Sequence, residues 1–155
     1  MGAVLSQLEQ SGLATWIRES GVLYGYPLVL FLHTLGLGTL VGLNSAIDLR
    51  LLGVGAGIPL GSLERTFTLM WAGLALNAAT GSLLFMVDAT KHASNPAFYV
   101  KLLFVALAVV VLTLIRRRVF RDHQSGTILA AASLGCWFVA MSAGRLMAYV
   151  IEFIS

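Results

Sequence analysis

Four long apolar runs divide the chain, each bounded by polar or turn-forming residues. The first, PLVLFLHTLGLGTLVGLNSAI, extends from Pro27 to Ile47 without a charge and then meets Asp48 and Arg50. The second runs from Phe67 to Val87, the third from Phe98 to Ile115 and the fourth from Thr127 to Ile151. Crossing a hydrocarbon core about 30 Å thick takes about 20 helical residues, so the pattern predicts four transmembrane helices, over 27–47, 67–87, 98–115 and 127–151. Ahead of them, Val4, Leu5, Leu8, Leu13, Trp16 and Ile17 alternate with Glu9, Gln10, Arg18 and Glu19. That predicts an amphipathic helix over about 3–19, too short and polar to span, lying in the bilayer interface with Trp16 as anchor and Gly12 as a candidate break. Tyr24 and Tyr26 suit an aromatic belt, and Pro27 suits a helix start because its missing N–H needs no partner there. GVGAGIPLGS at 53–62 predicts a flexible glycine-rich loop, and Ser94-Asn95-Pro96 and Asp122–Gly126 predict turns. The fold class expected is all-α: an integral membrane antiparallel four-helix bundle, a single membrane domain over 1–155, preceded by the interfacial helix.

Composition narrows the class. The chain is 58% hydrophobic and 11% charged, against roughly 25% charged in soluble domains. The net charge of +3 is small and gathered mostly in one loop, which argues against a nucleic-acid partner. Cys136 is alone, so no internal disulfide and no zinc-type Cys/His spacing is available. The opening MGAVLSQLEQ is too polar for the core of a signal peptide, so none is expected. A phosphate-binding glycine loop, a dinucleotide fingerprint and an HExxH pair are all missing from the sequence. Basic residues set the orientation: Arg50, Arg65, Arg116, Arg117, Arg118 and Arg121 flank the first and third loops, against Arg18 and Lys91 on the other side. Loops one and three are therefore expected in the cytoplasm of a bacterial inner membrane and both termini in the periplasm.

Polar residues within the spans carry the chemistry. His33 lies six residues past Pro27, about 9 Å deep at 1.5 Å per residue. Arg145 sits at a similar depth in the fourth span, Lys101 near the start of the third, and Asp88, Lys91 and His92 at the end of the second. Leaving aside boundary groups such as Asp48 and Arg50, all lie in the outer half. Such residues are costly in lipid and usually face the bundle interior, a cavity or a partner. On the first helix His33, Gly36, Leu37, Leu40 and Asn44 share a face, and on the second Asn77, Thr80, Gly81, Leu84 and Asp88 do. Gly38 and Gly42 form a GxxxG pair that favours close helix approach. Phe85, Phe98 and Phe104 read as lipid-facing or core residues.

Three readings of His33 stand side by side. It is a hydrogen-bond donor to a neighbouring helix, an axial ligand to haem b, or part of a proton relay or quinone site. Under the haem reading, Lys101 and Arg145 are candidates to pair with the anionic propionates. A second axial ligand is not evident: His92 is a candidate but also reads as a loop residue. Met86, Met141 and Met147 are candidate sulfur ligands that equally suit an apolar core, and His123 is too distant.

The succession LHTLGLGTLVG, DLRLLG, TGSLLF, NPAFYVKLL and SAGRLMAY resembles a family of small bacterial four-helix membrane proteins of undetermined function, over nearly the whole chain. A more distant likeness joins a helix-one histidine followed by small residues, an arginine near that helix's far end, and F-x-x-K-L-L opening helix three. It resembles the haem-containing bacterial protoporphyrinogen IX oxidases and the copper-resistance D-type membrane proteins. In the oxidases the helix-one histidine and helix-three lysine are the functional pair; the resemblance implies His33 and Lys101 here. The tryptophan that follows the histidine in those families is missing, with Gly38 to Leu40 in its place, and the first helix leaves through DLRLLG. The likeness thus implies a haem-site geometry and not the oxidase reaction.

The leading expectation is a b-type haem-binding membrane protein serving electron transfer or a redox complex, with a membrane oxidoreductase subunit the enzyme class left open. Quinone, a periplasmic redox protein, a second copy or a larger membrane complex are the partners it implies. The alternatives are a subunit transporting a small ion, metal or proton through His33, Asp88, Lys101 and Arg145, and a structural subunit. No inverted repeat between the halves favours transport.

Overall fold

Each apolar run becomes a helix because lipid offers the backbone no hydrogen bonds, so every N–H and C=O must be satisfied within its own segment. The computed structural model describes residues 2–20 and 24–154, with side-chain surroundings through residue 147. Its elements are α1 (Gly2–Glu9), α2 (Gly12–Glu19), α3 (Tyr26–Leu51), α4 (Leu60–Leu63), α5 (Thr66–Val87), α6 (Ala89–Ser94), α7 (Pro96–Ile115), a π-helical turn (Arg116–Arg121) and α8 (Thr127–Ile154), with no strand among the described residues. Four segments are long and apolar enough to cross a membrane: Tyr26–Leu51, Leu60–Val87, Pro96–Arg121 and Thr127–Met147. Phe31, Leu35, Leu69, Leu103, Val110 and Phe138 stand exposed along them. Apolar surface on that scale calls for a bilayer around it.

The helix pairs are α3 with α5 and α7 with α8, and α3 also packs on α8. α3 and α5 touch backbone to backbone. A Cβ on Gly36 would stand 2.9 Å from the Gly73 carbonyl oxygen, and one on Gly73 would stand 2.9 Å from that of Gly36. The GxxxG pair expected to serve this purpose does not: nothing lies within 4 Å of a Cβ at Gly38 or Gly42. Those two line a shallow apolar groove with Phe31, Leu35, Leu43 and Leu69 on the outside of the pair. Any small residue permits close approach, and the rotation of the helix decides which one is used.

The principal core lies toward the face formed by the loops 52–65 and 116–126, here the arginine face. It gathers Leu40, Val41 and Ile47 of α3, Phe67 and Met70 of α5, Ala108, Leu112 and Ile115 of α7, Val119 of the π turn and Trp137 of α8. Two loop-side features close it. Phe120 meets Phe67 edge to face at 5.1 Å between ring centroids, and the Arg116 guanidinium lies 5.5 Å over the same ring, a cation–π contact. Arg50 donates to the carbonyls of Ile58 at 2.7 Å and Ala56 at 2.9 Å. It thereby shapes the glycine-rich loop, in which Gly53 and Gly55 take positive φ.

On the opposite face, here the terminal face, the leading segment is two helices, not one. Ser11 starts α2, its hydroxyl accepting from the Ala14 N–H at 3.4 Å, so the break falls on a capping residue just before Gly12. Ile17 of α2 packs with Val29 and Val87. Arg18 donates to the Val87 carbonyl at 2.9 Å, occupying an acceptor left over at the end of α5. Glu9 accepts from the Thr90 N–H at the start of α6 at 2.7 Å. That bond holds the Glu9 carboxyl below the ordinary glutamate value. A lowered pKa means the tie is complete above the ordinary glutamate range and is lost as the pH falls below it. Hydrogen-exchange protection of the Thr90 amide is expected to fall between neutral pH and about pH 3, and to be low at both in Glu9→Ala. Equal protection at both pH values would break this assignment. α7 begins at the expected turn, where the Asn95 side chain accepts from the Ala97 N–H at 3.0 Å and Pro96 takes the first helical turn.

Candidate functional site

His33 is held by α5. Its Nδ1 lies 3.1 Å from the Asn77 carbonyl oxygen and 3.1 Å from the Thr80 hydroxyl oxygen. A carbonyl can only accept, and the Thr80 hydroxyl already donates to the Leu76 carbonyl at 2.6 Å. The proton therefore sits on Nδ1, shared between two acceptors, and Nε2 keeps its lone pair. The Asn77 amide donates to the His33 carbonyl at 2.9 Å, while its 3.5 Å approach to Nε2 is at the outer limit of a hydrogen bond. The ring lies against Gly81, where a Cβ would come within 3.1 Å of Cε1. Tautomer and orientation of His33 are thus both fixed by one turn of α5.

The other expected site residues are distributed around it. Lys101 of α7 is half-buried. Its stem runs along Gly144 of α8, where a Cβ would lie 3.6 Å from Cδ and 3.8 Å from Nζ. Arg145, the next residue on α8, is exposed. His92 belongs to α6 and not to a loop: its Nδ1 donates to the Asp88 carbonyl at 2.7 Å. Its ring stands 6.2 Å from Phe85 and 5.9 Å from Phe98, which themselves stack at 5.3 Å. Asp88 pairs with Lys91 at 3.6 Å within one helical turn, both side chains well exposed. Such a pair contributes little. Among the described residues no group of three His, Cys, Asp or Glu gathers as a metal cluster would.

A second polar group lies deeper. Asn44, Asp48 and Ser133 are each fully buried between α3 and α8. The Asn44 amide donates to Asp48 Oδ2 at 2.6 Å and to the Ser133 hydroxyl oxygen at 2.7 Å. Asp48 was expected as a boundary group because the apolar run stops at Ile47. The helix instead continues to Leu51, which carries Asp48 one turn below Asn44 on the interior face. Stepping four residues onward from Asn44 would have reached it. Ser133, one of two serines in the fourth apolar run, gave no signal at all.

The chain is a multi-pass helical membrane protein. No family model, curated protein or solved structure matches it.

Proposed function

We propose that the chain is a b-type haem-binding subunit of a bacterial inner-membrane redox system, built as an antiparallel four-helix bundle with an amphipathic interfacial segment and both termini periplasmic. One observation carries the reading. The Nδ1–H of His33 is anchored on the Asn77 carbonyl and the Thr80 hydroxyl, the outer arrangement that presents Nε2 to a metal. The residues present fit a group held by one axial histidine. His33 would ligate the iron, Lys101 would pair with a propionate, and Arg145, exposed beside Gly144, would meet an anionic group at the bundle surface. His92 stands as the candidate for a second ligand, since its Nδ1–H is likewise committed to a carbonyl. Haem bound here would supply one-electron chemistry whose potential depends on axial ligation and burial. Asn77 and Thr80 hold the imidazole tautomer, Gly81 leaves room for the ring, and the Lys101 charge favours an anionic neighbour.

The test is the absorption spectrum of detergent-purified protein from haem-replete cells, oxidised and then reduced with dithionite. A stoichiometric Soret band is expected, lost in His33→Gly and restored by added imidazole. A role confined to helix packing would show no such rescue. His92→Ala is expected to shift the reduced spectrum where it is the second ligand. Wild-type protein without a Soret band sinks the reading.

A further inference from the structure

The buried group between α3 and α8 is incomplete in a specific way. Both N–H bonds of the Asn44 amide are used, one on Asp48 Oδ2 and one on Ser133. That leaves Asn44 Oδ1 and Asp48 Oδ1, both fully shielded, without a donor among the described residues. An unpartnered acceptor in a protein interior costs about 1–3 kcal/mol, and more when it carries charge. Asp48 adds a carboxylate, and the one ion pair among the described residues is that of Lys91 with Asp88, elsewhere in the fold. The nearest basic group along the helix, Arg50, is turned outward onto the carbonyls of Ile58 and Ala56. The Asn44 amide nitrogen thus bridges the Asp48 carboxylate and the Ser133 hydroxyl, while one oxygen each of Asn44 and Asp48 is left over, with no matching positive charge among the described residues.

From this we infer that Asp48, Asn44 and Ser133 form a binding site for a sodium ion that fastens α3 to α8. All three donors are hard oxygens, which suit alkali and alkaline-earth cations and not soft metals. A single carboxylate neutralises a monovalent ion, whereas a divalent ion would leave net positive charge in the bundle. A proton on Asp48 would also cancel the charge, and an O–H shared between Asp48 Oδ1 and Asn44 Oδ1 would partner both oxygens, so the proton is the competing occupant that the test separates from sodium. The site does not rest on the haem reading: it lies in the other half of α3 from His33 and uses none of the same groups.

Thermal unfolding of the detergent-purified protein, followed by far-UV circular dichroism, provides the test. NaCl is compared with choline chloride at constant ionic strength and pH. The wild-type midpoint is expected to rise with sodium, and to rise less with potassium. Equilibrium dialysis with radioactive sodium is expected to give one ion per chain. Asp48→Asn keeps the volume and removes the charge, so it is expected to fold in choline and to lose the sodium shift and the bound ion. Ser133→Ala removes one neutral ligand and is expected to weaken sodium binding about tenfold. Midpoints that are identical in sodium and choline overturn the proposal. A midpoint that follows pH but not sodium assigns the place to a proton and overturns it equally. Retention of the ion by Asp48→Asn does the same.

Discussion

Trp137→Ala is expected to be the most damaging single truncation in the bundle, lowering stability by about 3 kcal/mol, the lower end of the range for a buried tryptophan. Trp137 is 1% exposed and packs within the core shared by α3, α5, α7 and α8. Much of the usual penalty for such a truncation is lost transfer from water. In a bilayer the separated helices are still surrounded by hydrocarbon, so that part shrinks. The cavity remains, because neighbours on four helices cannot all move in to fill it. Trp137→Phe separates the two contributions. It keeps most of the ring and removes Nε1, which has no hydrogen-bond partner among the described residues, so it is expected to change stability by less than about 1 kcal/mol. Unfolding in mixed micelles by increasing denaturing detergent measures both. A Trp137→Ala variant as stable as wild type would show that this core is not closed in the membrane.

Gly73→Val is expected to cost about 3 kcal/mol, the upper end of overpacking, because the first atom its side chain meets is the Gly36 carbonyl oxygen and not a movable side chain. Relief requires α3 and α5 to separate, and separation pulls His33 away from Asn77 and Thr80. The same variant is therefore expected to weaken whatever His33 binds as well as the fold. Gly38→Ala is the control. Its Cβ would meet nothing, so it is expected to be neutral or to gain up to about 1 kcal/mol from helix propensity. Equal damage from the two substitutions would mean that the outer groove is packed against something in the membrane and that the α3–α5 crossing is misplaced.

These contrasts show where the sequence is a good guide. The spanning segments were legible because lipid imposes one rule on every residue of a run. Pro27 was legible as a helix start and Ser94-Asn95-Pro96 as the turn before the third helix because turn and first-turn chemistry are local, although α7 begins at Pro96, two residues before the expected Phe98. The face joining His33, Gly36, Leu40 and Asn44 followed from helical spacing, and Gly36, Leu40 and Asn44 are indeed buried. What escaped depends on helix rotation and partnership. Nothing local distinguishes Gly36 from Gly38, yet one crosses α5 and the other faces outward. Asp48 escaped because apolarity was taken to mark the helix end, while the backbone continued for another turn. Ser133 matters only through the distant residue it meets. The tautomer of His33 likewise required Thr80, whose own proton is committed to Leu76.

The two helix pairs are joined mainly in one half of their length. The buried residues of α7 are Ala108, Leu112 and Ile115, all toward the arginine face, whereas His33 and Lys101 near the other end are only half-buried. Mechanically this is a pair of tweezers with a polar fulcrum at Asn44 and Ser133. A rotation of a few degrees there costs few contacts at the pivot but moves the tips by a distance that grows along each helix. His33 and Lys101 lie toward the tips, so a displacement that is small at Asn44 and Ser133 is expected to be larger between α3 and α7 beside them.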